Sequence, residues 1–117
     1  MRKLYLTLTE KWFDMILSGE KPEEYRELKE YWAKRLVDAP EPNIYDPKGQ
    51  EVNFKQFDVV VFSNGYHKDR RQMTVDFKYT DIGPGQEKWG AEQGKSYFRL
   101  HLGKVLHTKE NNPKFYA

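Results

Sequence analysis

The segment Gly19-Glu20-Lys21-Pro22-Glu23-Glu24-Tyr25-Arg26 concentrates chemistry: two cations and three carboxylates fall within the seven residues from Glu20 to Arg26. Pro22 fixes its own φ and bars a helix from running through it, so 21–26 should be extended or irregular. Successive side chains of an extended chain point to opposite faces, which puts Glu24 and Arg26 on one side and Glu23 and Tyr25 on the other. Lys21 could then be brought over the first face. A Lys/Glu/Arg set of this kind suits a polar, planar ligand. Arg26 would fork onto a carbonyl or phosphate, Glu24 would accept from an amino edge, and Lys21 would supply positive charge or act as a base. The competing reading is a solvated loop whose charges neutralise one another, since exposed charge runs are ordinary.

Other segments carry weaker signals. Tyr66-His67-Lys68-Asp69-Arg70-Arg71 places basic residues beside aromatic rings, which suits phosphate contacts by Lys68, Arg70 and Arg71 with Tyr66 stacking on a base. The same residues would equally make a hairpin tip soluble. Trp89, set among charges and glycines, is either a lid over a cleft or a plug on the end of a barrel. Gly90-x-x-x-Gly94-Lys95-Ser96 has the letters of a phosphate-binding loop, but four positions separate the glycines where five are needed, and a strand rather than a helix should follow. That reading is rejected. His67, His101 and His107 lack the spacing of a helical metal motif, so neither a metal nor another cofactor is expected.

These residues must be positioned by recognisable elements. Leu4, Leu6 and Leu8 alternate with Tyr5 and Thr7, as in a half-buried strand. Thr9 is a good N-cap for a helix whose stripe is Trp12, Phe13, Ile16 and Leu17, ending at Gly19. Leu28, Tyr31, Trp32, Arg35 and Leu36 predict a second helix near 27–37, and Trp12, Phe13, Tyr31 and Trp32 should pack the core. Phe57 to Phe62 reads as a strand that turns at Asn64-Gly65, a dipeptide favoured in type I′ turns. Met73, Val75, Phe77 and Tyr79 form the clearest alternation, broken by Gly83-Pro84-Gly85, and Tyr97 to Leu106 alternates again. Strands follow helices instead of alternating with them, which predicts an α+β fold or a helix-decorated small β-barrel. The polar stretch 38–56, with three prolines, is too short to separate domains and reads as an ordered excursion or a lid.

Composition bounds the partners. The 117 residues correspond to a single domain over 1–117, and 20 Lys/Arg against 18 Asp/Glu give a net charge of +2, so no global basic field advertises nucleic acid. The charge is uneven, however: residues 1–56 hold 10 basic and 11 acidic residues, whereas 57–117 hold 10 and 7. With no cysteine, disulfides, thiol catalysis and cysteine-bound metals are excluded. Eighteen aromatic residues (3 Trp, 8 Tyr and 7 Phe) supply enough buried area for a small core and argue against disorder. Glu10 and Lys11 interrupt the apolar start before an export signal can form, and no apolar run approaches membrane length. A soluble, cytoplasmic protein with no membrane partner is expected.

The run from Leu6-Thr7-Leu8 through Trp12 to Arg26 resembles the opening of the ASCH domain family, whose pattern is a helix ending in G-x-K-x-x-E-x-R. Gly19, Lys21, Glu24 and Arg26 match all four positions. Phe57 to Phe62, Thr74 to Phe77 and Tyr97 to Val105 are similar to its later strands, so the likeness covers most of the chain, though only the first motif is specific. The resemblance implies a PUA-like small β-barrel with flanking short helices that binds RNA or a modified nucleoside or nucleotide. Lys21, Glu24, Tyr25 and Arg26 would contact the ligand, with Tyr66, Lys68, Arg70, Arg71 and Trp89 as further contacts. It also implies an alternative, since some members are small amidohydrolases acting on N4-acetylcytidine. Their lysine falls on Lys21 and their strand glutamate on Asp76, while Glu24 occupies the position of their threonine. Lys21, Glu24 and Asp76 would then be catalytic, without the family's hydroxyl. Other members resemble single-strand ribonucleases, for which Lys21 and Tyr25 would be the matching pair. Apart from the resemblance, a protein-interaction module using the charged loop is a third class.

Overall fold

The computed structural model describes residues 1–38 and 52–109. Its elements run β1 (Lys3–Leu8), α1 (Glu10–Leu17), β2 (Glu23–Glu27), α2 (Glu30–Leu36), β3 (Val59–Asn64), β4 (Gln72–Pro84) and β5 (Ser96–Lys109). The strands form a mixed sheet in the order β1-β3-β4-β5-β2, and with two helices the class is α+β. Most of the 38–56 excursion lies outside the described residues. Among those residues no helix is long and apolar enough to cross a membrane.

The chain divides into two compact units. The first contains residues 1–22, 57–78 and 102–109. Here β1 pairs in parallel with β3, from Lys3 opposite Val59 to Leu8 opposite Asn64, and β3 pairs antiparallel with β4. Leu4, Leu6 and Leu8 point inward as their alternation predicts; Leu4 pairs with Val60 and Leu6 with Phe62, and Met73, Val75 and Leu102 are buried in the same unit. Helix α1 packs on β1 and β3 through Phe13 and Ile16. Thr9 occupies the N-cap position in an extended conformation, but its hydroxyl makes no capping bond; the backbone carbonyl alone accepts, from Phe13 N at 3.0 Å.

Two local expectations fail in this unit. Asn64-Gly65 does not make a two-residue turn. A type I′ turn requires positive φ at both central residues, and only Gly65 (φ +80°) has it. β3 instead ends at Asn64 and the chain returns at Gln72 after a seven-residue loop, closed where Asn64 N donates to Arg71 O at 3.0 Å. Trp12, expected in the core, is only half-buried; the ammonium groups of Lys11 and Lys21 lie 4.6 and 5.6 Å from its ring centroid.

The second unit contains residues 23–38, 52–56 and 79–101. β2 pairs antiparallel with β5, with Glu23 opposite His101 and Glu27 opposite Tyr97. Ala33, Leu36 and Val37 from the second helix region join Phe98 and Leu100 in the core, and Phe54 meets Phe98 edge to face at 6.3 Å between centroids. Phe54 also bridges Val37, so the two ends of the 38–56 excursion are stitched together. The second helix is shorter than its sequence pattern, because residues through Glu27 belong to β2. Tyr31 is 58% exposed, and Trp32 is half-buried beneath the guanidinium groups of Arg26 and Arg35. Neither ring is a core residue.

β4 runs through Pro84, past Gly83. Its inward set is Met73, Val75 and Phe77, after which Lys78 and Tyr79 both face solvent and Thr80 is buried. This slip of one residue turns Tyr79 outward, against the alternation that placed it with Phe77. In the loop that follows, Gly85 is required by space: a Cβ there would sit 2.5 Å from Ala91 Cβ and 2.9 Å from the Tyr25 ring.

Candidate functional site

Lys21 is placed by the end of α1. Ser18 N donates to Asp14 O and Gly19 N to Ile16 O, with Gly19 in the left-handed region (φ +84°) that ends helices. Lys21 N then reaches back to Met15 O at 3.0 Å, while Pro22 O accepts from Leu102 N at 2.9 Å. The side chain is 1% exposed. Lysine is almost never buried to this degree unless its ammonium group is paired, because removing that group from water is expensive.

Glu24 and Arg26 share a face of β2, as the extended reading predicts, and that face is the inward one. The register sets Glu24 opposite Leu100 and Arg26 opposite Phe98, two residues with no solvent exposure. Arg26 Nη2 donates to Glu24 Oε2 at 2.7 Å, and Tyr25 N donates to Glu24 Oε1 at 3.1 Å. The Arg26 guanidinium lies 4.9 Å from the Trp32 centroid. The result is a carboxylate and a guanidinium held rigidly against an apolar surface.

The other face of β2 carries a second polar array. Tyr25 hydroxyl donates to Glu23 Oε2 at 2.6 Å and accepts from Gln86 N at 3.1 Å. Across the strand pair, His101 lies with Nδ1 3.4 Å from Glu23 Oε1 and Nε2 2.9 Å from Asp81 Oδ1. Asp81 also takes a two-pronged pair of hydrogen bonds from Arg99, each 2.7 Å, and Arg99 Nη1 donates to Pro84 O at 3.1 Å. Tyr79 stacks on His101 at 4.2 Å, which accounts for its outward turn. Sequence alternation separates Glu23, Tyr25 and His101 from the apolar face. It cannot bring them together, because that takes the β2–β5 register, and nothing local marks Asp81.

The array fixes protonation states. Burial, then the hydrogen bond to Glu23, hold the Tyr25 phenol well above its ordinary pKa despite the opposing Gln86 N–H, so Tyr25 is a neutral donor. Its ring is engaged with Tyr97 at 5.6 Å and with the Gly85 backbone. Burial would raise the Asp81 pKa, but hydrogen bonds from Arg99 and His101 outweigh it and hold the carboxyl below its ordinary value. A depressed carboxylate contributes stability above its unfolded pKa, near ~3.9, and loses it as pH falls through the folded value. Asp81→Asn is therefore expected to cost about 1 kcal/mol at neutral pH, the scale of a partly exposed pair, and to flatten the fall in stability below about pH 4. Urea unfolding at several pH values checks both. Parent-like acid sensitivity in the variant would show that the pair contributes nothing.

The remaining candidate residues have contacts of their own. Asp76 is half-buried on β4 and packs so closely on Gly103 that a Cβ there would lie 2.9 Å from Asp76 Oδ2. Arg71 pairs with Asp14 at 2.8 Å and lies 4.6 Å over the Phe13 ring. Lys68 is exposed, while Tyr66 and Arg70 line one cavity. Trp89 closes a short 3-10 turn, Glu87–Trp89, with Lys88 Nζ 4.8 Å over its ring and its indole nitrogen buried without a hydrogen-bond partner among the described residues. Ser96, the last letter of the rejected phosphate-loop motif, opens β5. Comparison with protein-family models, curated proteins and solved structures finds no match to this chain.

Proposed function

We propose that the chain is a PUA-like domain of the ASCH type that binds RNA or a modified nucleoside or nucleotide, with Lys21, Glu24 and Arg26 carrying recognition. The observation behind this reading is the 2.7 Å Glu24–Arg26 pair on the inward face of β2, opposite Leu100 and Phe98. An apolar pair of similar volume would stabilise such a position equally well or better. What the ion pair adds is a fixed acceptor beside a planar donor, the pattern that reads a base edge or a phosphate. The modest net charge suits a small or single-stranded ligand better than long duplex DNA, and the mixed sheet with two short helices accommodates the barrel that this reading entails.

One observation favours catalysis as a second reading: the near-complete burial of Lys21, a setting that is rare for lysine and found at catalytic sites. Lys21 would then be the base in hydrolysis of an N4-acylated cytidine, Glu24 would orient water, and Asp76 would assist. In a ribonuclease version Tyr25, held protonated, would act as a donor.

The test titrates the protein with labelled single-stranded RNA, by anisotropy, and with N4-acetylcytidine, by calorimetry. Products are followed by mass spectrometry. Glu24→Gln and Arg26→Ala should each weaken binding at least about tenfold, the scale of one charge-assisted hydrogen bond. Absence of affinity, or affinity indifferent to both changes, overturns the binding reading. Turnover would move the assignment to the enzyme.

A further inference from the structure

The first unit has a cavity of its own, about 210 Å³, whose walls include Tyr5, Thr7, Ser63, Gly65, Tyr66 and Arg70. Two features distinguish it from an ordinary surface depression. Tyr66 is 88% exposed, so a large ring stands in water at its edge although burial would favour it, and Tyr5 in the same wall is 57% exposed. Arg70 makes no ion pair among the described residues; its Nη1 donates only to the His67 carbonyl, at 3.2 Å. The contrast with its neighbour is direct, since Arg71 is neutralised by Asp14.

The wall is built rather than loose. Tyr5 and Thr7 are the outward positions of β1, fixed by the inward burial of Leu4, Leu6 and Leu8. The parallel register sets Thr7 beside Ser63. Ser63 is 8% exposed, and its hydroxyl oxygen accepts from Gln72 Nε2 at 2.9 Å, which leaves the hydroxyl hydrogen to donate. The loop bearing Tyr66 and Arg70 is held by its own backbone, with Arg70 N donating to His67 O at 3.0 Å and Asp69 N to His67 Nδ1 at 3.2 Å. Arg70 is thereby aimed before any ligand arrives.

We infer that this cavity takes a single nucleotide unit, with the phosphate on Arg70, the base against the rings of Tyr66 and Tyr5, and hydroxyl groups of the ligand near Ser63 and Thr7. A guanidinium without a carboxylate partner forks onto phosphate oxygens, and exposed tyrosines stack on any base without sequence preference. The volume is below the ~300–1,000 Å³ of pockets that enclose drug-sized ligands, so it admits one base or nucleotide and no duplex. The nucleotide could be a free monophosphate or one residue of a single-stranded RNA. The inference extends the nucleic-acid reading above, but rests on residues that the Gly19–Arg26 motif does not contain.

The experiment titrates the full chain with CMP, AMP, inorganic phosphate and a single-stranded hexaribonucleotide, following the amide signals of residues 63–71 by NMR. Mononucleotide binding should perturb these signals, Tyr66→Ala should weaken it roughly 5- to 150-fold and Tyr66→Phe little, as expected for stacking. Arg70→Ala should weaken it at least about tenfold. The amide signals of residues 19–26, followed in the same titration, report the motif on their own, which separates failure of this site from failure of the motif. CMP or AMP binding as tightly as the hexamer identifies the free monophosphate as the ligand, and a much tighter hexamer identifies RNA. Phosphate alone matching the nucleotides, or affinities that Tyr66→Ala and Arg70→Ala leave at parent values, would overturn the inference.

Discussion

Lys21→Met should cost the protein its function. Methionine nearly matches the length of the lysine stem and keeps its apolar packing, while it removes the ammonium group and every polar contact that group makes at a position 1% exposed. If the motif binds RNA or a nucleoside, loss of a desolvated charge contact should weaken binding by about 30-fold or more, corresponding to about 2 kcal/mol. If Lys21 is a base, turnover should fall by ~10²–10⁴-fold with binding much less affected. Anisotropy, product analysis and thermal melts on the same preparation distinguish these outcomes. A marked fall in melting temperature with unchanged affinity and no turnover in either protein would make Lys21 a structural residue and remove the main support for both readings.

The largest expected effect on stability belongs to Phe62→Ala. Phe62 has no solvent exposure and lies on β3 between β1 and β4, paired with Leu6 on one side and Met73 on the other. Strands on both sides limit collapse around the missing ring, so the change should cost about 3–5 kcal/mol, against a total of roughly 5–15 kcal/mol for an ordinary domain. Urea unfolding should show a lower midpoint with unchanged slope, and the melting temperature should fall by roughly 12–40 °C at about 4–8 °C per kcal/mol. A loss below about 1 kcal/mol would mean that the β1–β3–β4 core is not as packed as described.

What could be read from sequence was local. The alternation of Leu4, Leu6 and Leu8, the helix ending at Gly19, and the sharing of one β2 face by Glu24 and Arg26 all follow from periodicity and from the constraint that Pro22 imposes. What could not be read depended on pairing between distant segments. By composition Glu24 and Arg26 read more readily as a solvated loop; the register sets them against Leu100 and Phe98. Tyr79 continued the apolar alternation of β4 by type, yet His101, 22 residues later, draws it to the other face. Tyr31 and Trp32 fit a helical stripe, but arginine side chains cover them where a core was expected. Asn64-Gly65 misled because the dipeptide preference says nothing of the basic loop that the strands must accommodate. Tyr5, read only as the intervening residue of a strand, became informative through its neighbours in the cavity.

The parallel pairing of β1 with β3 also governs how the chain can fold. Each residue of β1 meets a partner 56 positions later, with α1, β2 and α2 between them. Closing a loop of that length costs roughly 3–4 kcal/mol of chain entropy before the first contact is rewarded. The N-terminal strand, with Leu4, Leu6 and Leu8 ready to stick to any sheet edge, therefore waits until residue 64 has been synthesised and has found its register. A topology dominated by so distant a pairing folds in milliseconds to seconds rather than microseconds, and an apolar strand is made well before the one that covers it.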